Sequence, residues 1–244
     1  MIRTVAVFGA GVMGAGIAQA LAVGGCAVRL CDVSPAAIQG GMERIEHGRF
    51  GIARAVARGK LDATVGAAAL ARIRPVADDA EACAGVDAVV EAVPEDLTLK
   101  CSLFRRIDTL VPDHAILASN TAGLPITALA WATGRPDRVV GWHWAQPAPI
   151  MRLAEIITHP SCAASTIELI CDLARRCDKN PVVIKDQPEI WGFVANRINR
   201  AVRIEAARVV AEGIATEDQV DAIMKDCFRW PMGPFEMQRP GSMT

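Results

Sequence analysis

The chain has 244 residues, and its 26 basic and 27 acidic side chains give a formal net charge of −1. This balance, without any Lys/Arg-rich run, argues against a nucleic acid or an anionic membrane surface as partner. The sequence also has no apolar run long enough to span a membrane and no leader-like start, and its eight cysteines form no Cys-x-x-Cys pair. We therefore expect a cytoplasmic protein with reduced, buried cysteines.

Short apolar runs alternate with longer amphipathic segments along most of the chain. This pattern predicts an α/β fold, namely a Rossmann-like, doubly wound and mostly parallel sheet with crossover helices. A helix from Ala36 to about Arg58 is long enough to project from the sheet as an arm. The predicted strands are Val5–Phe8, Ala27–Cys31, Ala88–Ala92, Ile116–Ala118, Val139–Trp142, Glu155–Thr158 and Pro181–Ile184.

The pattern changes near Lys185. Gly192–Glu212 has apolar residues near helical spacing, and a second helix is predicted from Thr216, a suitable N-cap. Pro231-Met232-Gly233-Pro234 must then break any helix. We predict two domains, an α/β domain over residues 1–186 and a short all-α portion over residues 187–244.

The first chemical signal is a glycine-rich turn. Gly9, Gly11 and Gly14 have G-x-G-x-x-G spacing between a predicted strand and a predicted helix. In that context the glycines permit a tight turn, close approach of the backbone to a pyrophosphate, and close packing of helix on strand. The backbone around Val12 and Met13 would hold the pyrophosphate at the positive end of the helix. The sequence therefore predicts a dinucleotide site.

Asp32 ends the next predicted strand, eighteen residues after Gly14. A carboxylate there can accept hydrogen bonds from the adenosine ribose and would repel the additional phosphate of NADP, so NAD is the predicted cofactor. The alternative is that Asp32 is an ordinary turn residue before Ser34, which would cap a helix.

His143 and Glu155 are a candidate acid–base pair. His143 follows the predicted strand Val139–Trp142 at its carboxyl end, where open α/β sheets bind ligands. Glu155 begins the next predicted strand twelve residues later, and its carboxylate could fix the tautomer of the ring and raise its basicity. The spacing alone fits equally well a surface histidine and an unrelated strand-end glutamate.

Two further polar residues have open interpretations. Ser119 follows the predicted strand Ile116–Ala118, and it could be either a helix cap or turn residue or a ligand contact. Asn196 lies among apolar residues of the long predicted helix. Because a buried amide needs hydrogen-bond partners, Asn196 is either a satisfied structural group or a donor to a ligand.

Several motifs in their order along the chain resemble the L-3-hydroxyacyl-CoA dehydrogenase family. The resemblance runs nearly from end to end. Its residues are Gly9–Ala18, Glu91–Leu97 with Lys100 and Phe104, Ala118–Thr121, Gly141–His143, Pro147, Met151, Glu155–Ile157, Lys185-Asp186, Pro188, Gly192-Phe193, Asn196-Arg197 and Pro231–Glu236.

The resemblance implies an NAD-dependent oxidoreductase that oxidises the 3-hydroxyl of a 3-hydroxyacyl-CoA, or runs the reverse reduction. His143 would remove the hydroxyl proton, and Glu155 would stabilise the imidazolium. Ser119 and Asn196 would hold the hydroxyl or carbonyl oxygen and align the transfer.

The resemblance also implies partners and further contacts. Glu95, Lys100 and Ser119 would face the cofactor, and Lys60 would contact the phosphates of coenzyme A, although Lys60 could equally be a solvated helix end. A homodimer is expected, and no residue is assigned to a metal.

Three departures from the family modify this expectation. Trp144-Ala145-Gln146 stands where the family has two phenylalanines and an asparagine, and we expect an altered pocket wall beside His143. Glu189-Ile190-Trp191 adds three residues where the domains meet. Family members continue beyond the Pro-Met-Gly-Pro block, so the helical domain is expected to be truncated.

Two other functions remain open beside the 3-hydroxyacyl-CoA dehydrogenase. One is a related enzyme that acts on a hydroxy acid without coenzyme A or on an aromatic alcohol. The other is a protein that binds NAD(H) without turnover.

Overall fold

A computed structural model describes residues 1–239. The chain divides into two compact units between residues 190 and 191. The boundary expected at residue 186 falls directly after the last strand of the first unit. Residues 240–244, on which the expected truncation partly depends, lie outside the described residues.

The first unit is built on one sheet of eight strands. They are β1 (Thr4–Phe8), β2 (Ala27–Cys31), β3 (Ile73–Val76), β4 (Ala88–Glu91), β5 (Ile116–Ser119), β6 (Val139–Trp144), β7 (Leu153–Thr158) and β8 (Asn180–Lys185). Their order in the sheet is β3-β2-β1-β4-β5-β6-β7-β8, and every neighbouring pair is parallel except β6 and β7. The first six strands have the Rossmann order, as predicted.

Ten α-helices accompany the strands within residues 1–239. Eight lie in the first unit: α1 (Val12–Val23), α2 (Pro35–His47), α3 (Ile52–Ala57), α4 (Ala63–Ala71), α5 (Asp79–Cys83), α6 (Leu97–Asp108), α7 (Ile126–Trp131) and α8 (Ala164–Arg176). The second unit contains α9 (Val194–Ala211) and α10 (Glu217–Phe228).

Complete burial explains why the central strands are apolar at successive positions. Val5, Ala6 and Val7 of β1 are all inaccessible to solvent, as are Ile116 and Leu117 of β5. Helices that cover a parallel sheet on both faces require apolar side chains on both faces of each strand. Polar side chains in these strands are therefore exceptions, and Glu91 and Ser119 are found at the carboxyl ends of β4 and β5.

The sequence missed β3, which forms one edge of the sheet. Pro75 and the charged Arg74 obscured its apolar pattern. Proline lacks the N–H donor of an interior strand but is tolerated at an edge, and β3 pairs only with β2.

The predicted arm helix over residues 36–58 is wrong. Helix α2 ends at His47, and residues 48–51, which include Gly48 and Gly51, separate it from α3. A Cβ on Gly66 of α4 would lie 3.0 Å from side-chain carbons of Ile52 and Val56. Helix α3 therefore packs closely on α4 instead of continuing α2.

The second unit begins with the two helices that the sequence indicated. Thr216 caps α10 and forms a reciprocal capping box with Gln219. Asp221, which is 2% exposed, accepts hydrogen bonds from the backbone N–H groups of Phe235 and Glu236 at 2.8 and 2.9 Å. A single buried carboxylate thus fixes the segment that follows the proline-rich turn.

The eight cysteines are all free, and five of them are buried. Cys227 is exposed, so the expectation of burial is wrong for this residue. No helix within residues 1–239 combines the length and the apolar character that a bilayer crossing requires.

Candidate active site

The glycine turn connects β1 to α1 and is as tight as the sequence predicted. Gly9 has φ +99°, and a Cβ there would lie 2.5 Å from the carbonyl oxygen of Ala92. A Cβ on Gly14 would lie 1.7 Å from the carbonyl oxygen of Gly9. Packing within the protein therefore requires glycine at both positions.

Gly11 differs because a Cβ there would meet no atom within 4 Å. It is the N-cap of α1 and supplies no side-chain acceptor to the first turn of the helix. The open space above Gly11 and the N–H groups of Val12 and Met13 fit a pyrophosphate at the positive end of the helix dipole. The residues present therefore fit a dinucleotide.

Asp32 is a turn residue whose position also allows the predicted contact with a ribose. Its Oδ2 accepts a hydrogen bond from Ala10 N at 2.8 Å, and its Oδ1 accepts one from Ser34 N at 3.1 Å, so it is a turn residue. It also lines a cavity of about 610 Å³ together with the glycine turn. Asp79 and Arg106, whose Oδ2 and Nε atoms are 2.5 Å apart, line the same cavity and were not predicted from the sequence.

His143 and Glu155 form a hydrogen-bonded pair, with 2.7 Å between His143 Nδ1 and Glu155 Oε2. His143 lies within β6 and not after it, and Glu155 is the third residue of β7. The antiparallel register places the two residues directly opposite one another. Directly opposed residues project from the same face of the sheet, which explains why the side chains meet.

The hydrogen bond to Glu155 determines the tautomer of His143. The carboxylate can only accept, so Nδ1 carries the proton and Nε2 is the basic atom of the neutral ring. The side chain of Glu155 is 3% exposed and that of His143 is 12% exposed. The arrangement is that of a general base supported by a buried carboxylate.

The expected change of the pocket wall at Trp144 is wrong. Alternation along β6 places Trp144 on the opposite face from His143, beside Trp142. The two indole rings have centroids 4.7 Å apart and belong to the buried core of the first unit. Of the three unusual residues, Ala145 is half-buried and Gln146 is exposed.

Ser119 is inaccessible to solvent. Its Oγ donates a hydrogen bond to Glu91 Oε2 at 2.6 Å and accepts one from Thr121 N at 3.2 Å. This geometry makes Ser119 a link between β4 and the loop after β5. Its contact with a substrate oxygen stays a prediction, and its burial was not visible in the sequence.

Lys100 is 1% exposed, and its ammonium group is enclosed by acceptors. It lies 2.5 Å from Glu91 Oε1, 3.1 Å from the carbonyl oxygen of Val93 and 3.3 Å from Glu95 Oε2. Glu95 is 36% exposed, so it is the member of this cluster that faces outward. The expected cofactor contact of Lys100 would therefore act through Glu95.

Glu91, which the sequence analysis did not select as a functional residue, lies at the centre of this cluster and is fully buried. Burial raises the pKa of its carboxyl group, and the hydrogen bonds that Lys100, Ser119 and Val93 N donate oppose that rise. The sequence feature that could have indicated a role for Glu91 is its position as a charged residue directly after the apolar run Ala88–Val90.

Lys60 belongs to a basic cluster on α3 and the loops beside it. Arg49, Arg54, Arg58 and Lys60 surround one small pocket with Phe50. All four cations are exposed, and within residues 1–239 none of them forms an ion pair. Arg49 and Arg54 were not predicted, although their spacing before Lys60 is visible in the sequence.

Asn196 lies near the start of α9 and is half-buried. With Arg200 and Arg203 it lines a cavity of about 560 Å³ within the second unit. Within residues 1–239, no group of three or more His, Cys, Asp or Glu side chains is arranged to hold a metal ion.

The fold, the glycine turn and the supported histidine define the class of a dinucleotide-dependent oxidoreductase. Residues 4–187 match the NAD binding domain of 3-hydroxyacyl-CoA dehydrogenase, and residues 192–239 match its C-terminal domain. The chain belongs to the 3-hydroxyacyl-CoA dehydrogenase family, and its cofactor is NAD.

Three relatives illustrate the range of the family. The chain is 37% identical over 243 residues to mitochondrial hydroxyacyl-coenzyme A dehydrogenase from Homo sapiens, covering 97% of this chain and 75% of that one. The crystal structure of (S)-3-hydroxybutyryl-CoA dehydrogenase from Ralstonia eutropha superposes with a TM-score of 0.90 at 38% identity. The match covers 97% of this chain and 81% of that chain. A 5-formyl-3-hydroxy-2-methylpyridine 4-carboxylate 5-dehydrogenase from Mesorhizobium japonicum is 36% identical. The match covers 96% of this chain and 72% of that protein.

Proposed function

We propose that this protein oxidises the 3-hydroxyl group of a 3-hydroxyacyl-CoA with NAD, or reduces the corresponding 3-ketoacyl-CoA. The observation that carries the proposal is the 2.7 Å hydrogen bond between His143 and Glu155 at the carboxyl-end edge of the sheet. This pair is the acid–base group that alcohol oxidation requires beside a nicotinamide cofactor.

In the proposed reaction, His143 Nε2 takes the proton of the substrate hydroxyl. Glu155 stabilises the imidazolium that forms and keeps the ring oriented. NAD, when bound, supplies the hydride-accepting group. Asn196 would hold the substrate oxygen, whereas Ser119 would hold Thr121 and Glu91 in place.

The basic cluster of Arg49, Arg54, Arg58 and Lys60 supports a coenzyme A thioester as substrate. Four cations around one pocket suit the phosphates of coenzyme A, because a phosphate accepts several charge-assisted hydrogen bonds. Phe50 lines the same pocket, and the Arg49 guanidinium lies over its ring, 5.4 Å from the centroid.

The proposal is tested by oxidation of NADH with acetoacetyl-CoA and with free acetoacetate. We expect a kcat/KM at least about a hundredfold higher for the thioester, because the free acid lacks every contact to the cluster. Turnover of the free acid alone would contradict the proposal.

Substitution of Lys60 and Arg58 by alanine tests the same contact more narrowly. We expect KM for acetoacetyl-CoA to rise about tenfold with little change in kcat, since these cations bind a part of the substrate that does not react. Arg175→Ala on α8 is a matched control, because Arg175 is equally exposed but pairs only with Asp172 within residues 1–239. An equal effect of both changes would mean that general surface charge is responsible.

A second candidate is a dehydrogenase of a hydroxy acid or aromatic alcohol without coenzyme A. The Mesorhizobium japonicum relative, whose name is that of a pyridine carboxylate dehydrogenase, favours it. It predicts turnover of aromatic alcohols with no dependence on Lys60. Binding of NADH without turnover of any substrate would instead indicate a protein that only binds the cofactor.

The proposal includes a homodimer in the cytoplasm. Apolar side chains on the second unit support self-association, since Ile198, Ile223 and Phe228 are each about 60% exposed. The free cysteines suit a reducing compartment. Sedimentation equilibrium tests the dimer, and a monomer at micromolar concentration would contradict it.

A further inference from the structure

Glu91, Lys100 and Glu95 form a trio of charges at the carboxyl end of β4. Lys100 Nζ lies 2.5 Å from Glu91 Oε1 and 3.3 Å from Glu95 Oε2. Two carboxylates and one ammonium leave a formal charge of −1 on the trio. Because Glu91 and Lys100 are inaccessible or nearly so, water screens that charge weakly.

The hydrogen bonds around Glu91 are those of a carboxylate. Oε1 accepts from Lys100 Nζ and from Val93 N at 2.7 Å, and Oε2 accepts from Ser119 Oγ at 2.6 Å. The Ser119 oxygen in turn accepts from Thr121 N. Three donors to one buried carboxyl group favour its ionised form and oppose the rise in pKa that burial causes.

The sheet order indicates which part of NAD lies near this trio. The cavity that Asp32 lines is at the end of β2, and the glycine turn follows β1. The next strands across the sheet are β4, which ends at Glu91, and β5. A dinucleotide whose adenosine lies at β2 and whose pyrophosphate lies at β1 extends its nicotinamide half toward β4 and β5.

We propose that Glu91 is a positioning residue whose charge leaves an excess of negative charge beside the nicotinamide half of the site, so that binding of NAD⁺ is strengthened relative to binding of NADH. The physical reason is that the nicotinamide ring is cationic in NAD⁺ and neutral in NADH. The proposal deepens the proposed function and rests on its NAD-dependent reaction. Glu91 also holds Lys100 in position, which in turn holds Glu95.

The test is a calorimetric titration of the full-length protein with NAD⁺ and with NADH, without any substrate. Glu91→Gln keeps the size of the side chain and an acceptor for Val93 N, but it removes the charge. We expect the ratio of the NAD⁺ dissociation constant to the NADH dissociation constant to rise about tenfold, the order expected for one weakly screened unit charge. A purely structural role would weaken both cofactors equally and leave the ratio unchanged.

Two controls separate charge from structure. Ser119→Ala removes a hydrogen bond to Glu91 but no charge, so the ratio should stay within about twofold of the wild-type value while both affinities fall. Glu168→Gln makes the same chemical change on the exposed surface of α8 and should leave both affinities unchanged. If Glu91→Gln does not fold, Glu95→Gln removes one charge from the same trio at a partly exposed position, and a smaller rise of the ratio is expected because water screens this charge more strongly.

An unchanged ratio in folded Glu91→Gln, or in Glu95→Gln where only that variant folds, would overturn the proposal. Its failure is distinguishable from failure of the proposed function. Turnover of acetoacetyl-CoA by the wild type does not depend on the ratio, and the titrations need no thioester.

Discussion

His143 is held by its register partner, and this single contact determines what the ring can do. A histidine on a sheet surface would rotate freely, whereas His143 Nδ1 is fixed here by a carboxylate that is 3% exposed. A buried carboxylate that keeps its charge favours the imidazolium, the form that proton abstraction produces. The proposed acid–base role therefore depends on the pair and not on the histidine alone.

Glu155→Gln tests whether the charge of Glu155 supports His143, because it removes the charge and keeps the size of the side chain. The amide oxygen of the variant could still accept a hydrogen bond from His143 Nδ1, but the side chain would carry no charge to stabilise the imidazolium. We expect kcat with acetoacetyl-CoA to fall about a hundredfold while NADH affinity stays unchanged. The measurements are steady-state kinetics and NADH fluorescence titration, with Glu168→Gln as the matched control. Turnover within about twofold of the wild type would contradict the assigned role.

At the scale of the element, the β1–turn–α1 segment shows that the three glycines of one motif are required for three different reasons. Gly9 adopts φ +99°, Gly14 contacts the carbonyl of Gly9, and Gly11 borders open space. The first and third are needed by the fold, whereas the second is needed only if a ligand approaches the backbone.

Paired alanine substitutions separate these reasons. Gly14→Ala brings a Cβ to 1.7 Å from a backbone oxygen, so the segment must shift, and we expect a loss of about 2 kcal/mol in the free energy of unfolding. Gly11→Ala should leave that free energy within about 0.5 kcal/mol of the wild-type value but weaken NADH binding more than about tenfold. Urea denaturation and NADH titration measure both effects. Equal stability losses in the two variants would refute this division.

At the scale of the whole molecule, Asp87 holds the N-terminal strand onto the sheet. Its Oδ2 accepts hydrogen bonds from Arg3 N at 2.6 Å and Thr4 N at 2.9 Å, and His114 Nε2 lies 3.3 Å from Oδ1. Partial burial raises the pKa of Asp87, but these hydrogen bonds outweigh it and hold the pKa below its ordinary value. Asp87 therefore stabilises the fold when it is ionised.

The pH dependence of stability follows from the sign of that shift. With the folded-state pKa below the unfolded value of about 3.9, the contribution is complete above that value and is lost as the pH falls through the folded-state pKa. We expect Asp87→Asn to be about 1 kcal/mol less stable than the wild type at pH 6, with the difference shrinking below about pH 4. Urea denaturation at several pH values measures it, and a difference independent of pH would argue against the mechanism.

The sequence by itself determined the Rossmann-like class of the fold, the glycine turn, NAD as the cofactor and the family, because each depends on short-range pattern. Period-two and helical spacing encode burial, and the glycine motif encodes a local turn with its ligand. Its failures were also local in cause: Pro75 hid β3, and continuous helical pattern hid the break between α2 and α3.

Only the tertiary structure decided which side chains meet. The antiparallel register joined His143 to Glu155, and the alternation of β6 turned Trp144 into the core. The parallel pairing of β4 and β5 placed Ser119 beside Glu91, where the two side chains form a buried hydrogen bond. Contacts of this kind depend on strand neighbours and register, which residues distant in the sequence set together, so no local pattern reveals them.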